Sequence, residues 1–161
     1  MSFGTDSSSH AGARRLPHGV IWITGYSSAG KTSIGRLVAA DLKRSGTPSI
    51  FLDGDDLRGI LGGGGYSDEE RRELARVYFR LCSHIASQDV VVVIAAAAMY
   101  REVYGWFSEN IERGMLVYVD APEDLRRHRD ATARKQVYNP IRTQDGPPVC
   151  GQCGFEVNPS G

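Results

Sequence analysis

The sequence predicts an α/β fold: a parallel sheet with helices on both faces, making a three-layer sandwich. Three observations predict it. Short apolar runs, 20-VIWIT-24, 49-SIFL-52, 90-VVVVIA-95 and 115-MLVYV-119, alternate with segments of helical spacing. The third run is apolar at every position, as a parallel strand buried on both faces requires. The first run leads directly into 25-GYSSAGKTS-33, a glycine loop set between a strand and a helix.

The elements follow in order. Residues 1–18 are rich in Ser, Gly and Ala and read as a loose leader. Val20–Thr24 is the first strand. Lys31–Arg44 is a helix with Ile34, Leu37, Val38 and Leu42 as its apolar face. Ser49–Leu52 is the second strand and ends at 53-DGDD-56, where Asp56 can cap a short helix, 57-LRGIL-61. The segment 62-GGGG-65 is a joint. Ser67, with Glu70 three residues on, forms a capping box for a helix to about Ser87. Leu74, Val77, Tyr78, Leu81, Cys82 and Ile85 form its inner face. Val90–Ala95 is the third strand, Tyr100–Glu112 a helix, Met115–Val119 the fourth strand. Pro122 opens a last helix to Arg129. The domain is expected over 19–138, and 139–161, with its Pro, Gly and polar residues, as an irregular tail.

At 161 residues, the chain is long enough for one real core. Lys+Arg and Asp+Glu are both 19, so global charge favours neither a nucleic acid nor a membrane partner. No run reaches the roughly 20 apolar residues of a membrane span. Three cysteines make no disulfide framework, which points to a reducing cytoplasm. Cys150 and Cys153 lack the second ligand pair of a structural zinc site, and read as incidental.

Gly25, Gly30, Lys31 and Thr32 fit G-x-x-x-x-G-K-[ST], the phosphate-binding P-loop. Its glycines let backbone N–H groups face phosphates, Lys31 reaches the β and γ phosphates, and Thr32 is the metal ligand, holding Mg²⁺. Gly25, Tyr26, Ser27, Ser28, Ala29, Gly30, Lys31, Thr32 and Ser33 are thus the candidate ATP site. Phosphoryl transfer also needs a carboxylate to orient or deprotonate the attacking hydroxyl. Asp53 is the candidate, with Asp55 beside it in support. Arg58 and Arg71 suit an anionic acceptor, although surface arginines are the plain alternative. Tyr66 can stack on a base or pack the start of its helix. Arg129, in 126-RRHR-129, can close over the phosphates or merely complement a helix end. Strand ends bring the glycine loop, 53-DGDD-56 and 95-AAAAMYR-101 to one cleft.

With these residues in hand, the chain resembles the adenylylsulfate kinase family of P-loop kinases. The family's loop, DGDxxR motif and GFS-x-x-x-R segment stand here as 25-GYSSAGKT-32, 53-DGDDLR-58 and 65-GYSDEER-71. Its PYR and VDxPxExxxxRD segments stand as 99-MYR-101 and 119-VDAPEDLRRHRD-130. The resemblance implies a P-loop NTPase fold, and transfer of the ATP γ-phosphate to the ribose 3′-hydroxyl of adenylyl sulfate or a similar small nucleotide. That is a phosphotransferase with an alcohol acceptor, using ATP and Mg²⁺. It implies that Asp53 is the catalytic carboxylate, working with Lys31. It also implies that Arg58 and Arg71 bind the acceptor, that Tyr66 stacks on its base and that Arg129 lies by the ATP base; Asp55 and Tyr100 are further candidates for the acceptor site. Relatives also imply a homodimer.

This chain has Leu74 where the family has asparagine, and Ala98 and Met99 where it has serine and proline. The stretches 73-ELARVYFRLC-82 and 99-MYREVYGWFSENI-111 look closer to the branch that phosphorylates cytidine diphosphoramidate. The family's lid and last strand are only faintly echoed by 130-DATARKQVY-138, so both C-terminal elements are expected to be missing. A nucleotide-binding protein without kinase activity is the reading from a different class.

Overall fold

The computed structural model describes residues 19–62 and 67–132. The leader, Tyr66, residues 133–138 of the segment that echoes the lid, Cys150 and Cys153 lie outside the described residues. Nine elements follow one another along the described chain: β1 (Gly19–Thr24), α1 (Lys31–Arg44), β2 (Ser49–Asp53), α2 (Gly54–Ile60), α3 (Asp68–Ala86), β3 (Val91–Ala95), α4 (Arg101–Asn110), β4 (Gly114–Tyr118) and α5 (Glu123–Thr132).

The strands form one parallel sheet in the order β2-β3-β1-β4. Ile23 and Asp53 both align with Ala95, and Thr24 aligns with Tyr118. The carboxyl ends of all four strands therefore lie level, and the loops that leave them share one rim.

Alternation along the strands splits the core in two. Val20, Trp22, Val92 and Ile94 face Tyr78, Phe79 and Cys82 of α3 and Val103 and Phe107 of α4. Ile23, Val91 and Val93 face Ala39 and Leu42 of α1. Trp22 is fully buried, with ring centroids of Phe79 4.6 Å and Phe107 5.2 Å away. Its indole N–H donates to the Ala96 carbonyl at 2.9 Å, so burial leaves no polar atom unpaired. Burying such a ring contributes on the order of 3 kcal/mol.

Three sequence expectations are corrected. On α1, Leu37 is 67% exposed and Ile34 is also exposed, while Gly35, Ala39 and Leu42 are buried. The reason is Gly35: a Cβ there would collide with the Phe51 ring, so the helix turns its small residues to the sheet. On α3, Val77 is exposed and Phe79 is buried instead. Helix α4 packs beside α3, and Phe79 fills the seam against Trp22 and Phe107, which widens the apolar stripe. At α2, Asp53 rather than Asp56 is the cap, and its side chain accepts from the Asp55 N–H. The strand turns into the helix at Gly54, where a Cβ would press on Ala95 and Ala96. The capping box of Ser67 and Glu70 forms as the sequence predicts.

Candidate active site

The phosphate loop begins where β1 ends. Gly25 and Gly30 take φ of 134° and 109°, and Ser28 takes 61°, so the loop backbone is left-handed at three points. A Cβ on Gly25 would strike the Val119 carbonyl oxygen, which fixes glycine there on steric grounds as well. Helix α1 starts at Gly30 with no side-chain cap and no acidic residue in its first turn. The amides of that turn and the helix dipole suit an anion, and a phosphate fits. The Lys31 ammonium donates to the Tyr26 carbonyl at 2.7 Å, folded back across its own loop.

At the end of β2, Asp53 uses both carboxylate oxygens. One accepts from the Thr32 hydroxyl at 2.8 Å, and the other from the Asp55 N–H at 2.9 Å. A hydroxyl and a carboxylate side by side at the loop are hard oxygen donors, which fit Mg²⁺. Among the described residues, no group of three His, Cys, Asp or Glu side chains gathers as a separate metal site. Asp55 is exposed and Arg58 half-buried on α2. Behind them, the Tyr78 hydroxyl of α3 donates to the Gly54 carbonyl at 3.1 Å. Burial pushes the Tyr78 phenol above its ordinary pKa; nearby Arg58 opposes this and Asp55 adds to it.

Beyond β3, Tyr100 is 8% exposed. Its hydroxyl donates to Asp68 at 3.0 Å, and the Arg72 guanidinium lies 5.5 Å from its ring centroid. Tyr100 thus ties the chain after β3 to the first turn of α3, where Arg71 is half-buried. Ser27 is half-buried in the loop and Ser33 exposed on α1.

Helix α5 closes over the loop from the far side. Arg129 donates to the Ala29 carbonyl at 3.2 Å, and the Ser28 hydroxyl reaches the buried Asp130 carboxylate at 3.4 Å. The Arg126 guanidinium lies 4.4 Å from the Tyr26 ring centroid, and its Nε donates to the Ala121 carbonyl at 2.9 Å. Within 126-RRHR-129 the sequence reading chose Arg129 over Arg126, and Asp130 was not a candidate. The three-residue spacing of Arg126 and Arg129 was the available signal, since it puts both on one helix face.

The structure thus brings Lys31, Thr32, Asp53 and Arg129 to one loop, with Asp55 and Arg58 on the helix that Asp53 caps. Nothing direct links Arg71 or Tyr100 to that loop among these contacts, and Tyr66 falls outside the described residues.

Comparison with known proteins bears on the family and the fold. A family profile described as "Adenylylsulphate kinase" matches residues 18–145. The adenylyl-sulfate kinase of Chloroflexus aurantiacus is 37% identical over 112 residues, covering 69% of this chain and 60% of the relative. The cytidine diphosphoramidate kinase of Campylobacter jejuni is 30% identical over 101 residues, covering 63% of this chain and 59% of the relative. The matches thus span about three-fifths of the length of these relatives. Among solved structures, the Mycobacterium tuberculosis APS kinase CysC in complex with AMPPNP and APS superposes with a TM-score of 0.69. It is 28% identical, covering 81% of this chain and 78% of that one.

Proposed function

The chain belongs to the adenylylsulphate kinase family, and from that premise we propose that it is an ATP-dependent kinase acting on the ribose 3′-hydroxyl of a small nucleotide, with adenylyl sulfate the first acceptor to test. The observation that carries this reading is the Thr32–Asp53 hydrogen bond. It sets the hydroxyl that follows the loop lysine against the carboxylate that a phosphoryl transfer needs.

Each residue then has a task. Lys31 leaves the Tyr26 carbonyl for the β and γ phosphates, exchanging a neutral acceptor for a charged one. Loop amides and the first turn of α1 take the remaining phosphate oxygens. Asp53 accepts the proton of the attacking hydroxyl or orients it. Thr32 and Asp53 would hold Mg²⁺, which would supply neutralisation of charge on the phosphates. Arg58 and Arg71, with Asp55, Tyr66 and Tyr100, are assigned to the acceptor, and Arg129 to ATP. Most of the rate then comes from positioning and charge rather than covalent chemistry. A homodimer in the cytoplasm, without nucleic-acid partners, completes the proposal. Among the described residues, no helix is long and apolar enough to cross a membrane.

A second acceptor is favoured by one observation. Leu74, at the position of the family's asparagine, packs against the apolar core and offers no polar contact. This weighs against adenylyl sulfate, and the likeness of 73-ELARVYFRLC-82 and 99-MYREVYGWFSENI-111 to the other branch makes cytidine diphosphoramidate, the substrate named for the Campylobacter jejuni relative, the alternative. The test is ADP release by the purified chain with Mg-ATP and each acceptor. Release with the adenylyl compound supports the first reading. Release only with the cytidine compound moves the chain to the second. ATP binding with no acceptor-dependent release leaves a nucleotide-binding protein and overturns both.

A further inference from the structure

We propose that Arg126 is a positioning residue for ATP: it fixes the Tyr26 ring, and with it the backbone of the loop whose amides face the phosphates. The proposal rests on the ATP-binding reading of the loop.

Tyr26 is the one large side chain in 25-GYSSAG-30, a loop whose other residues are Gly, Ser and Ala. Such a backbone has few contacts of its own to set its shape. The Tyr26 ring is the handle by which the rest of the fold can hold it. Arg126 takes that handle. A separation of 4.4 Å from the ring centroid is well inside the range of about 6 Å for cation–π attraction. The guanidinium is itself held, because Nε donates to the Ala121 carbonyl where the chain leaves β4. A planar group fixed at Nε keeps its orientation over the ring.

The next arginine behaves differently. Arg127 pairs with Glu123 on the solvent side of α5, one helical turn away. Arg126 and Arg129 instead share the inner face and reach opposite ends of the loop, at Tyr26 and Ala29. Asp130 holds Ser28 between them. Helix α5 therefore grips the loop at three residues, and Arg126 holds the one whose carbonyl accepts from Lys31.

The test is a double-mutant cycle on the full chain, read by calorimetric binding of Mg-ATP. Arg126→Ala is expected to weaken ATP binding about three- to tenfold. Arg126→Lys, which keeps a cation but loses the planar group and its Nε anchor, is expected to recover only part of that loss. In a Tyr26→Leu background, Arg126→Ala is expected to cost nothing more, because the ring through which it acts is gone. In turnover, KM for ATP should rise while KM for the acceptor stays the same. An equal loss in the Tyr26→Leu background would mean that Arg126 attracts the phosphates directly, and would overturn the positioning role. Unchanged affinity in Arg126→Ala, with a binding parent, overturns it as well. A parent that binds no ATP overturns the kinase reading and this assignment together.

Discussion

Thr32 and Asp53 stand 21 positions apart in the chain, yet the hydroxyl of one donates to the carboxylate of the other at 2.8 Å. One begins a helix and the other ends a strand. Only the parallel sheet, which sets β1 and β2 on either side of β3, brings them together. Replacing Asp53 with Asn keeps the size and an acceptor oxygen and removes the charge. Transfer is expected to fall by about 10²- to 10⁴-fold while ATP affinity changes little. Acceptor-dependent ADP release and nucleotide binding, measured on the same preparation, check this. Surviving transfer would remove Asp53 from the chemistry.

Lys31 is the second test. It is the only lysine in the loop, and its ammonium already reaches a carbonyl across the loop at 2.7 Å. A charged hydrogen bond of this kind contributes about 1.5–3 kcal/mol, so Lys31→Ala is expected to weaken ATP binding by roughly ten- to a hundredfold. Equilibrium binding of Mg-ATP decides it, and unchanged affinity would place the phosphates elsewhere.

The glycines separate conformation from space. Gly25 combines a φ of 134° with a carbonyl oxygen where its Cβ would go. Gly46 has a φ of 78° and open space around it. Gly25→Ala is expected to cost about 2–4 kcal/mol of stability, and Gly46→Ala about 1 kcal/mol. Urea unfolding of the two variants against the parent measures the difference. Equal costs would mean that the loop can move away from Val119.

Cys82 predicts a pH dependence. Burial pushes its thiol up from 9.0 to about 12. The folded state therefore favours the protonated thiol, and this contribution is complete below pH 9. As pH rises from there towards 12, the unfolded chain ionises first and stability falls, by at most about 1.4 kcal/mol per pH unit. The Tyr78 and Tyr118 phenols, also raised by burial, add to the fall from about pH 10 upward with the same sign. Unfolding free energies from pH 8 to 11 should show a shallower decline in Cys82→Ala. An identical slope would assign the alkaline loss to the tyrosines alone.

Much of this was legible in the sequence because local rules and tertiary needs agree there. The loop pattern needed no tertiary information: Gly25 and Gly30 sit where φ is positive. Helix α1 occupies the expected Lys31–Arg44, and Ser67 caps α3 as its spacing with Glu70 predicts. The faces of the helices were harder to read. Periodicity treats Leu37 as a better core residue than Ala39, but the ring of Phe51 over Gly35 reverses that choice. Periodicity also missed Phe79, which is buried because a second helix lies beside the first. Asp56 looked like a cap because the helix was expected to begin after it; the β2–α2 turn is tighter than that, and Asp53 caps from the strand end. Arg126 was passed over for Arg129 because spacing puts both on one helix face but does not show that Arg126 meets a ring 100 positions earlier.

The place of β1 in the sheet has a consequence for how slowly the loop can be released. Its backbone is bonded to β3 on one side and to β4 on the other, so its amides cannot reach solvent by the fraying of an edge. Their hydrogen exchange should require the opening of the whole unit, with protection near the global unfolding free energy. A nucleotide that binds only the folded loop slows that opening by the factor 1 + [L]/Kd. Exchange at Ile21–Thr24 would then report nucleotide affinity with no acceptor and no turnover. Edge strand β2 would report a smaller, local part of the same effect.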